Sequence, residues 1–458
     1  MILDRTKQPV SGKPKDILFP DFYETKFDNG IKLFVVSDSD FPLISARFLF
    51  KSGSCHDILT RKGLDGTASL TAELLTKGTK GKSAVEIAEI VDYHGAVISS
   101  GADYDASYLG INSLDKYFEK MFDLVCSMIL ESAFSEEEIE RKKHQVINSL
   151  LSYRDDGSYL AESVFRKMLY GSSPYAADEE GTMNSVASIS REEITEYYKN
   201  FYVPSNLVIA LVGNISVSSA EKLIFEKFGN LKAEIIPEIK FPELIDAKPP
   251  KIYLTEKKGA VQSNIHAGHT GISRNSKDFI AITVMNTILG GSFTSRINKN
   301  LREKNGYTYG ARSSFNWKKY QGDFSVETDV RNDITSNAVN EIIKELVNIS
   351  EANVTQEELQ TAQNYITGNF PMQLETPTAV ASKLLNLELY GVDKDFYNKY
   401  ISEINSLTTD EIKITAKKYL HPDSLTISVA GNTAEVSESM KQFGEIRVIQ
   451  NIDEIEYQ

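Results

Sequence analysis

Histidine and cysteine side chains are common zinc ligands, and this sequence has six histidines and two cysteines. His266 and His269 form a His-x-x-His pair inside Ile265–His269, a stretch typical of a β-strand. Alternation along a strand would point the two rings to opposite faces, so we expect structural or substrate-lining histidines rather than metal ligands. Cys55 and Cys126 are the two cysteines, which excludes a Cys-x-x-Cys zinc site, and the six histidines contain no His-x-x-Glu-His.

The sequence repeats itself at a nearly constant offset. Ser190–Pro204 recurs as Thr408–Pro422, and Leu207–Asn214 recurs as Leu425–Asn432, both 218 residues later. A weaker match at an offset of 220 joins the stretches that begin at Ser135 and Thr355. The copies that begin at Ser190 and Thr408 open with a Ser or Thr followed three residues later by Glu, which predicts a helix start with a capping box.

This repeat predicts two homologous domains, at residues 15–236 and 251–445. Between them, residues 237–250 contain prolines at 237, 242, 249 and 250. Proline cannot continue a helix or a central strand, so we expect residues 237–250 to be a linker.

The pattern of apolar residues predicts an α+β fold for each domain. Ile31–Val36 and Ser45–Phe50 alternate like antiparallel strands. Longer periodic stretches predict amphipathic helices at Ser83–His94, Ser135–Tyr153 and Ser276–Leu289. We therefore expect two antiparallel sheets flanked by helices, with the two domains facing each other across a chamber.

Composition and charge exclude several classes of protein. The chain has 458 residues, with 50 basic and 64 acidic side chains and a net charge of -14, which argues against nucleic-acid binding. No apolar run approaches the roughly 20 residues of a membrane helix, so no membrane insertion is expected. Residues 1–20 lack the apolar centre of a signal peptide, so the chain as written would be cytoplasmic, or periplasmic if an export signal had been removed.

Two segments resemble the pitrilysin/insulinase family of metallopeptidases. The first is the predicted helix at residues 64–78, which ends on Lys77-Gly78-Thr79 as the family's zinc-binding helix does. The second is Leu289–Gly310, which resembles the family's C-terminal motif with an arginine and a tyrosine seven residues apart. The resemblance covers about residues 15 to 445 and implies that the domains share the family's fold.

The resemblance also implies that this chain has lost the zinc site. In the family, the first helix carries His-x-x-Glu-His, and counting back from Gly78 places Ser69, Ala72 and Glu73 at those three positions. A further zinc-binding glutamate of the family falls in residues 141–154, which here contain no acid. A catalytic zinc normally has three protein ligands, so we predict no metal in this chain.

The arginine and tyrosine of the second motif are retained as Arg302 and Tyr309. In the family these side chains hydrogen-bond the substrate backbone beside the scissile bond. A guanidinium and a phenol can hold a peptide carbonyl and its developing oxyanion without touching a metal. The simpler alternatives are a surface ion pair for Arg302 and a core aromatic for Tyr309.

By resemblance, the chain is similar to the zinc-free subunit of heterodimeric peptidases such as the mitochondrial processing peptidase. We therefore expect a non-catalytic subunit, inactive alone, that pairs with a homologous zinc-bearing subunit to cut peptides or unfolded segments. Zinc is expected in that partner. The alternatives are a zinc-free structural core subunit and a peptide-binding homodimer.

Overall fold

The computed structural model describes residues 18–244, 250–450 and 452 of the chain. Residues 15–17, at the start of the first predicted domain, and residues 245–249, within the predicted linker, lie outside the described residues. We call residues 18–231 the first half and residues 250–450 the second half. Each half contains a six-stranded sheet, and the two halves together confirm the predicted α+β fold with two sheet-containing domains.

The first half contains the strands β1 (Tyr23–Lys26), β2 (Lys32–Ser37), β3 (Leu43–Phe50), β4 (Gly78–Thr79), β5 (Lys82–Ser83), β6 (Val97–Ala102), β7 (Ser107–Leu114) and β8 (Leu207–Gly213). Its helices are α1 (Asp57–Thr60), α2 (Thr67–Leu74), α3 (Ala84–Tyr93), α4 (Asp115–Leu130), α5 (Glu136–Tyr153), α6 (Gly157–Tyr170), α7 (Met183–Ser188), α8 (Arg191–Phe201) and α9 (Val217–Phe228). Short 3-10 turns lie at Ser54–His56, Pro174–Ala176 and Pro204–Asn206.

The second half contains the strands β9 (Lys251–Glu256), β10 (Gln262–Thr270), β11 (Ala311–Asn316), β12 (Asp323–Arg331), β13 (Thr426–Gly431) and β14 (Ile446–Ile449). Its helices are α10 (Phe279–Asn286), α11 (Arg296–Asn298), α12 (Thr335–Glu351), α13 (Gln356–Asn369), α14 (Pro377–Tyr390), α15 (Phe396–Ser406), α16 (Thr409–Tyr419) and α17 (Thr433–Met440). Two π-helical turns lie at Thr287–Gly291 and Lys299–Lys304, and 3-10 turns at Asn332–Ile334, Pro371–Leu374 and Lys441–Phe443.

The two sheets have matching strand orders except at one edge, which is β1 in the first sheet and β14 in the second. The first runs β6-β7-β3-β8-β2-β1 and the second runs β11-β12-β10-β13-β9-β14. Most neighbours are antiparallel, as expected, but β2 lies parallel to β8, and β9 lies parallel to both β13 and β14. Each sheet is therefore mixed, because the strand after the long helical crossover returns between two earlier strands: β8 lies between β2 and β3, and β13 lies between β9 and β10.

One helix of each half packs on the sheet of the other half. Helix α14 of the second half packs on the first sheet, where Val380 and Leu384 join a buried cluster with Val208, Ala210 and Val212. Helix α6 of the first half packs in the same way on the second sheet. Complete burial of one such side chain contributes about 1.5–3 kcal/mol, so this exchange ties the halves together.

A buried polar network also joins the halves. The Tyr170 hydroxyl donates to Asp323 Oδ1 at 2.7 Å, and Lys318 Nζ lies 3.0 Å from that oxygen and 3.0 Å from the Tyr170 oxygen. We call Tyr170, Lys318 and Asp323 the inter-half network. Burial alone raises the pKa of the Asp323 carboxyl, but Lys318 and hydrogen bonds from Asn316 and Tyr170 outweigh burial and leave that pKa below its usual value.

The segment between the halves packs against this region. Residues 232–244 form neither helix nor strand. The Phe241 ring stacks on Tyr320 of the second half, with centroids 4.0 Å apart, and contacts Tyr175 of the first half at 4.9 Å. The Tyr175 hydroxyl accepts from the Tyr320 amide at 3.3 Å, which adds a further link between the halves.

Candidate functional site

Helix α2 is the helix predicted from the sequence at residues 64–78, and its start is firmly held. The preceding Gly66 has a φ of 98°, a left-handed conformation that favours glycine. The buried Asp57 carboxylate accepts from the Gly66 and Ala68 amides, both at 2.8 Å. Burial raises the pKa of Asp57, although these amide bonds oppose the shift.

The three positions expected to have lost zinc lie on α2. Ala72 is fully buried, whereas Ser69 and Glu73 are half-buried. Glu73 forms an ion pair with Lys142 of α5. Burial lowers the pKa of Lys142, and the Glu180 carboxylate partly offsets that effect.

These side chains do not fit a zinc ion. Ser69 has a hydroxyl and Ala72 a methyl group where the zinc site requires other groups. The carboxylate of Glu73 already forms an ion pair with the Lys142 ammonium. Lys142 lies within residues 141–154, where the sequence lacks an acid, and it was not among the predicted site residues. The signal that could have found it is the change of charge at a position where a carboxylate was expected.

Arg302 and Tyr309 both have functional groups that the rest of the protein leaves available. Arg302 lies in the π-helical turn Lys299–Lys304, with its Cζ 4.5 Å from the centroid of the Phe293 ring. Within the described part of the chain, its guanidinium forms neither an ion pair nor a hydrogen bond. Tyr309 is 92% exposed, so it is not a core aromatic. The simpler alternatives of an ion pair and a core position therefore do not describe these residues.

Tyr309 projects from a turn that is fixed by hydrogen bonds on both sides. The Thr308 hydroxyl donates to the Gly310 carbonyl at 2.8 Å and accepts from the Gly310 amide at 3.1 Å. The Thr328 hydroxyl of β12 donates to the same carbonyl at 3.0 Å. The backbone is thus held while the phenol extends into solvent.

Tyr309 forms part of the wall of a groove of about 770 Å³. The groove lies between the start of α6, the strands β10 to β12 and the segment at residues 290–293. Its aromatic lining consists of Tyr153, Tyr159, Phe293, Tyr309 and Tyr365. Tyr309 therefore lines the groove directly, whereas Arg302 contacts the ring of Phe293, which is another lining residue of the same groove.

The two histidines of β10 point to opposite sides of the sheet, as the alternation predicts. His266 contacts Phe165 of α6, with ring centroids 4.5 Å apart, and lines the groove. Burial lowers the pKa of His266. His269 is buried on the other side against Phe324, and its Nε2 accepts from the His421 amide at 3.1 Å. One histidine is therefore a lining residue and the other is structural.

A second cavity of about 570 Å³ lies beside the groove, and its six lining carboxyl groups include the pair Asp103 and Glu179. Burial, together with the Asp103 carboxylate, raises the pKa of Glu179 to about 7. Burial also raises the pKa of Asp103 to about 6, although two backbone amides oppose it. Neither the sequence repeat nor the family motifs indicated this pair.

The described residues show neither a metal cluster nor a membrane helix. Across residues 18–244, 250–450 and 452, no three His, Cys, Asp or Glu side chains converge in a way that could hold a metal ion. None of the helices in this part of the chain is long and apolar enough to cross a bilayer.

The fold and the site define a two-domain protein with the architecture of a peptidase but unsuitable groups at the zinc positions. Residues 35–172 match the model of the insulinase family, peptidase family M16, and residues 188–366 match the model of the peptidase M16 inactive domain. The chain belongs to the M16 peptidase family. This result confirms the resemblance seen in the sequence.

Individual relatives agree with this assignment. The chain is 23% identical over 407 residues to the uncharacterized zinc protease YmxG of Bacillus subtilis, covering 88% of this chain and 97% of that protein. It is 24% identical over 378 residues to the non-peptidase homolog YmxG of Helicobacter pylori, covering 82% and 86%. The crystal structure of a peptidase M16 inactive domain from Pseudomonas fluorescens is 25% identical, with a TM-score of 0.84, covering 90% of this chain and 98% of that one.

Proposed function

We propose that the chain is the non-catalytic subunit of a two-subunit zinc peptidase that cuts peptides or unfolded segments. In this proposal, Arg302 and Tyr309 bind the substrate backbone next to the zinc of a homologous subunit. The observation that carries the proposal is that Tyr309, which is 92% exposed, and Phe293 line one groove, and that the Arg302 guanidinium, unpaired among the described residues, lies against the Phe293 ring. The match to an inactive M16 domain supports a non-catalytic role.

The chemistry of the two groups suits this task. A guanidinium donates up to five hydrogen bonds and keeps its charge at any physiological pH, so Arg302 can hold a peptide carbonyl as negative charge develops on it. The phenol of Tyr309 can donate one further bond. The partner would supply the metal, because Ser69, Ala72 and the paired Glu73 do not fit one.

The test uses a complex with a homologue from the same genome that contains His-x-x-Glu-His. We expect the two proteins to co-elute and together to cleave a fluorogenic peptide that this chain alone leaves intact. Arg302→Ala and Tyr309→Phe should each lower turnover on the order of 10² to 10³-fold, the effect of removing an oxyanion donor. Zinc content and complex formation should stay unchanged.

Matched controls come from exposed residues outside the groove. Tyr93→Phe changes a tyrosine that is 84% exposed in the first half, and Arg331→Ala removes an exposed arginine paired with Asp333. Both should leave turnover as in the wild type. Full activity of Arg302→Ala and Tyr309→Phe in a stable complex would contradict the substrate-binding role and favour a structural core subunit. Self-association with peptide binding, and no complex with the homologue, would favour a peptide-binding homodimer.

A further inference from the structure

The ring of Phe293 is a large apolar side chain at the protein surface. It is 66% exposed, lines the groove and lies 4.5 Å from the Arg302 guanidinium carbon. Burial in the core therefore does not explain this residue. Its described contact with a charged group is the one with Arg302, and an aromatic face attracts a guanidinium at this distance.

The backbone that carries Phe293 is clamped to the segment that carries Tyr309. The buried side chain of Asn298 donates from Nδ2 to the Phe293 carbonyl at 2.6 Å. Its Oδ1 accepts from the Ala311 amide at 3.1 Å, two residues after Tyr309. One amide side chain therefore links the two segments.

A close backbone approach holds the same segment from its other end. Gly290 lies against Ser313 of β11 so closely that a Cβ atom at this position would overlap the serine. Asn286 also donates from Nδ2 to the Ser313 carbonyl at 3.0 Å. Residues 290–293 are thus fixed against the edge strand of the second sheet, and the exposed Phe293 ring is attached to a backbone with little freedom.

We infer that Phe293 is a positioning residue that orients the Arg302 guanidinium toward the groove shared with Tyr309. Arg302 has a long side chain and, among the described residues, no carboxylate to hold it, so an aromatic surface on a fixed backbone restricts its rotamers. This inference rests on the proposed function, since it assigns the residue that prepares Arg302 for substrate.

The test is a double-mutant cycle in the two-subunit complex, with kcat/KM for one fluorogenic peptide as the readout. Phe293→Leu should lower kcat/KM about two- to fivefold, the equivalent of an exposed cation–π contact. Phe293→Trp, which keeps an aromatic face, should restore it. In the Arg302→Ala background, Phe293→Leu should have no further effect, because the group it positions is gone.

Phe225→Leu is the matched control, since Phe225 is 63% exposed on α9 and should leave kcat/KM unchanged. Additive losses from Phe293→Leu and Arg302→Ala, or failure of Phe293→Trp to restore activity, would overturn the positioning role. Wild-type activity of Phe293→Leu together with a large loss in Arg302→Ala would overturn it while leaving the proposed function intact. If Arg302→Ala keeps full activity, or if no complex forms, the proposed function is refuted and this inference with it.

Discussion

Replacing Lys318 by methionine should destabilise the whole protein through the inter-half network. The side chains of Lys318 and Asp323 are only 11% and 5% exposed, and the ammonium lies 3.0 Å from the carboxylate. Methionine has a similar length but no charge, so Lys318→Met leaves a buried carboxylate without its counter-ion. Asp323 would retain hydrogen bonds from Tyr170 and Asn316, each at 2.7 Å.

The hydrogen bonds that Asp323 retains set the size of the loss in unfolding free energy. Removing one partner of a buried ion pair costs about 3–5 kcal/mol of unfolding free energy, and the two retained hydrogen bonds place Lys318→Met near 3 kcal/mol. The effect should depend on pH. In the wild type the pKa of Asp323 is depressed, so its stabilisation is present above the unfolded value near 3.8 and is lost below it. In Lys318→Met the pKa of Asp323 is higher than in the wild type. The difference in unfolding free energy between the two proteins should therefore shrink as the pH falls.

Urea unfolding followed by circular dichroism at pH 7 and at pH 4 measures both effects. Lys319→Met is the matched control, because in the described part of the chain the Lys319 ammonium forms no ion pair. The double variant Lys318→Met with Asp323→Asn should regain much of the lost stability, since no charge is then buried alone. A loss below about 1 kcal/mol for Lys318→Met at pH 7, or a loss equal to that of Lys319→Met, would refute the reasoning.

Two further predictions concern the zinc positions and the second cavity. The purified chain should contain no stoichiometric zinc by elemental analysis, whereas the variant Ser69→His, Ala72→Glu, Glu73→His, Lys142→Glu should bind one ion, because it has three ligands and no competing ammonium. The same variant with Lys142 retained is the control, and equal zinc in both would contradict the idea that the Lys142 ammonium excludes the ion. Titration of Glu179 by itself should remove at most about 3 kcal/mol of unfolding free energy as the pH rises from about 4.5 through 7, because its raised pKa favours the protonated form in the fold. Asp103 should add a loss of the same sign in this pH range. In chemical unfolding, Glu179→Gln should make the unfolding free energy depend less on pH over this range. An unchanged pH dependence would contradict the contribution assigned to Glu179.

The local elements were predictable because their signals lie within a few residues. The capping boxes predicted at Ser190 and Thr408 are present as hydrogen-bonded pairs, and the helix expected from Ser135 begins at the next residue. The strands expected near residues 31–36 and 45–50 are β2 and β3. In each case, alternation or a cap is a property of neighbouring side chains and needs no knowledge of the tertiary fold.

Other features depend on residues far apart in the chain and left no local trace. The helix expected over Ser276–Leu289 spans only Phe279–Asn286, after which the backbone widens into a π-helical turn that brings Gly290 against Ser313. The parallel neighbours of β2 and β9 and the Glu73 and Lys142 pair likewise arise from tertiary packing. Among the candidate site residues, motif spacing identified Arg302 and Tyr309, but the groove that contains Tyr309 appears only in three dimensions.

The exchange of α6 and α14 makes the two halves dependent on each other for folding. A fragment that ended in residues 232–244 would leave α6 without the sheet that it covers and the first sheet without α14. Such fragments, produced separately, would each expose an apolar helix and an apolar sheet face and should aggregate. A folded chain nicked in the same segment should stay in one piece, held by the exchanged helices and the inter-half network. The covalent connection thus matters mainly during folding, when it keeps the two halves at a high effective concentration.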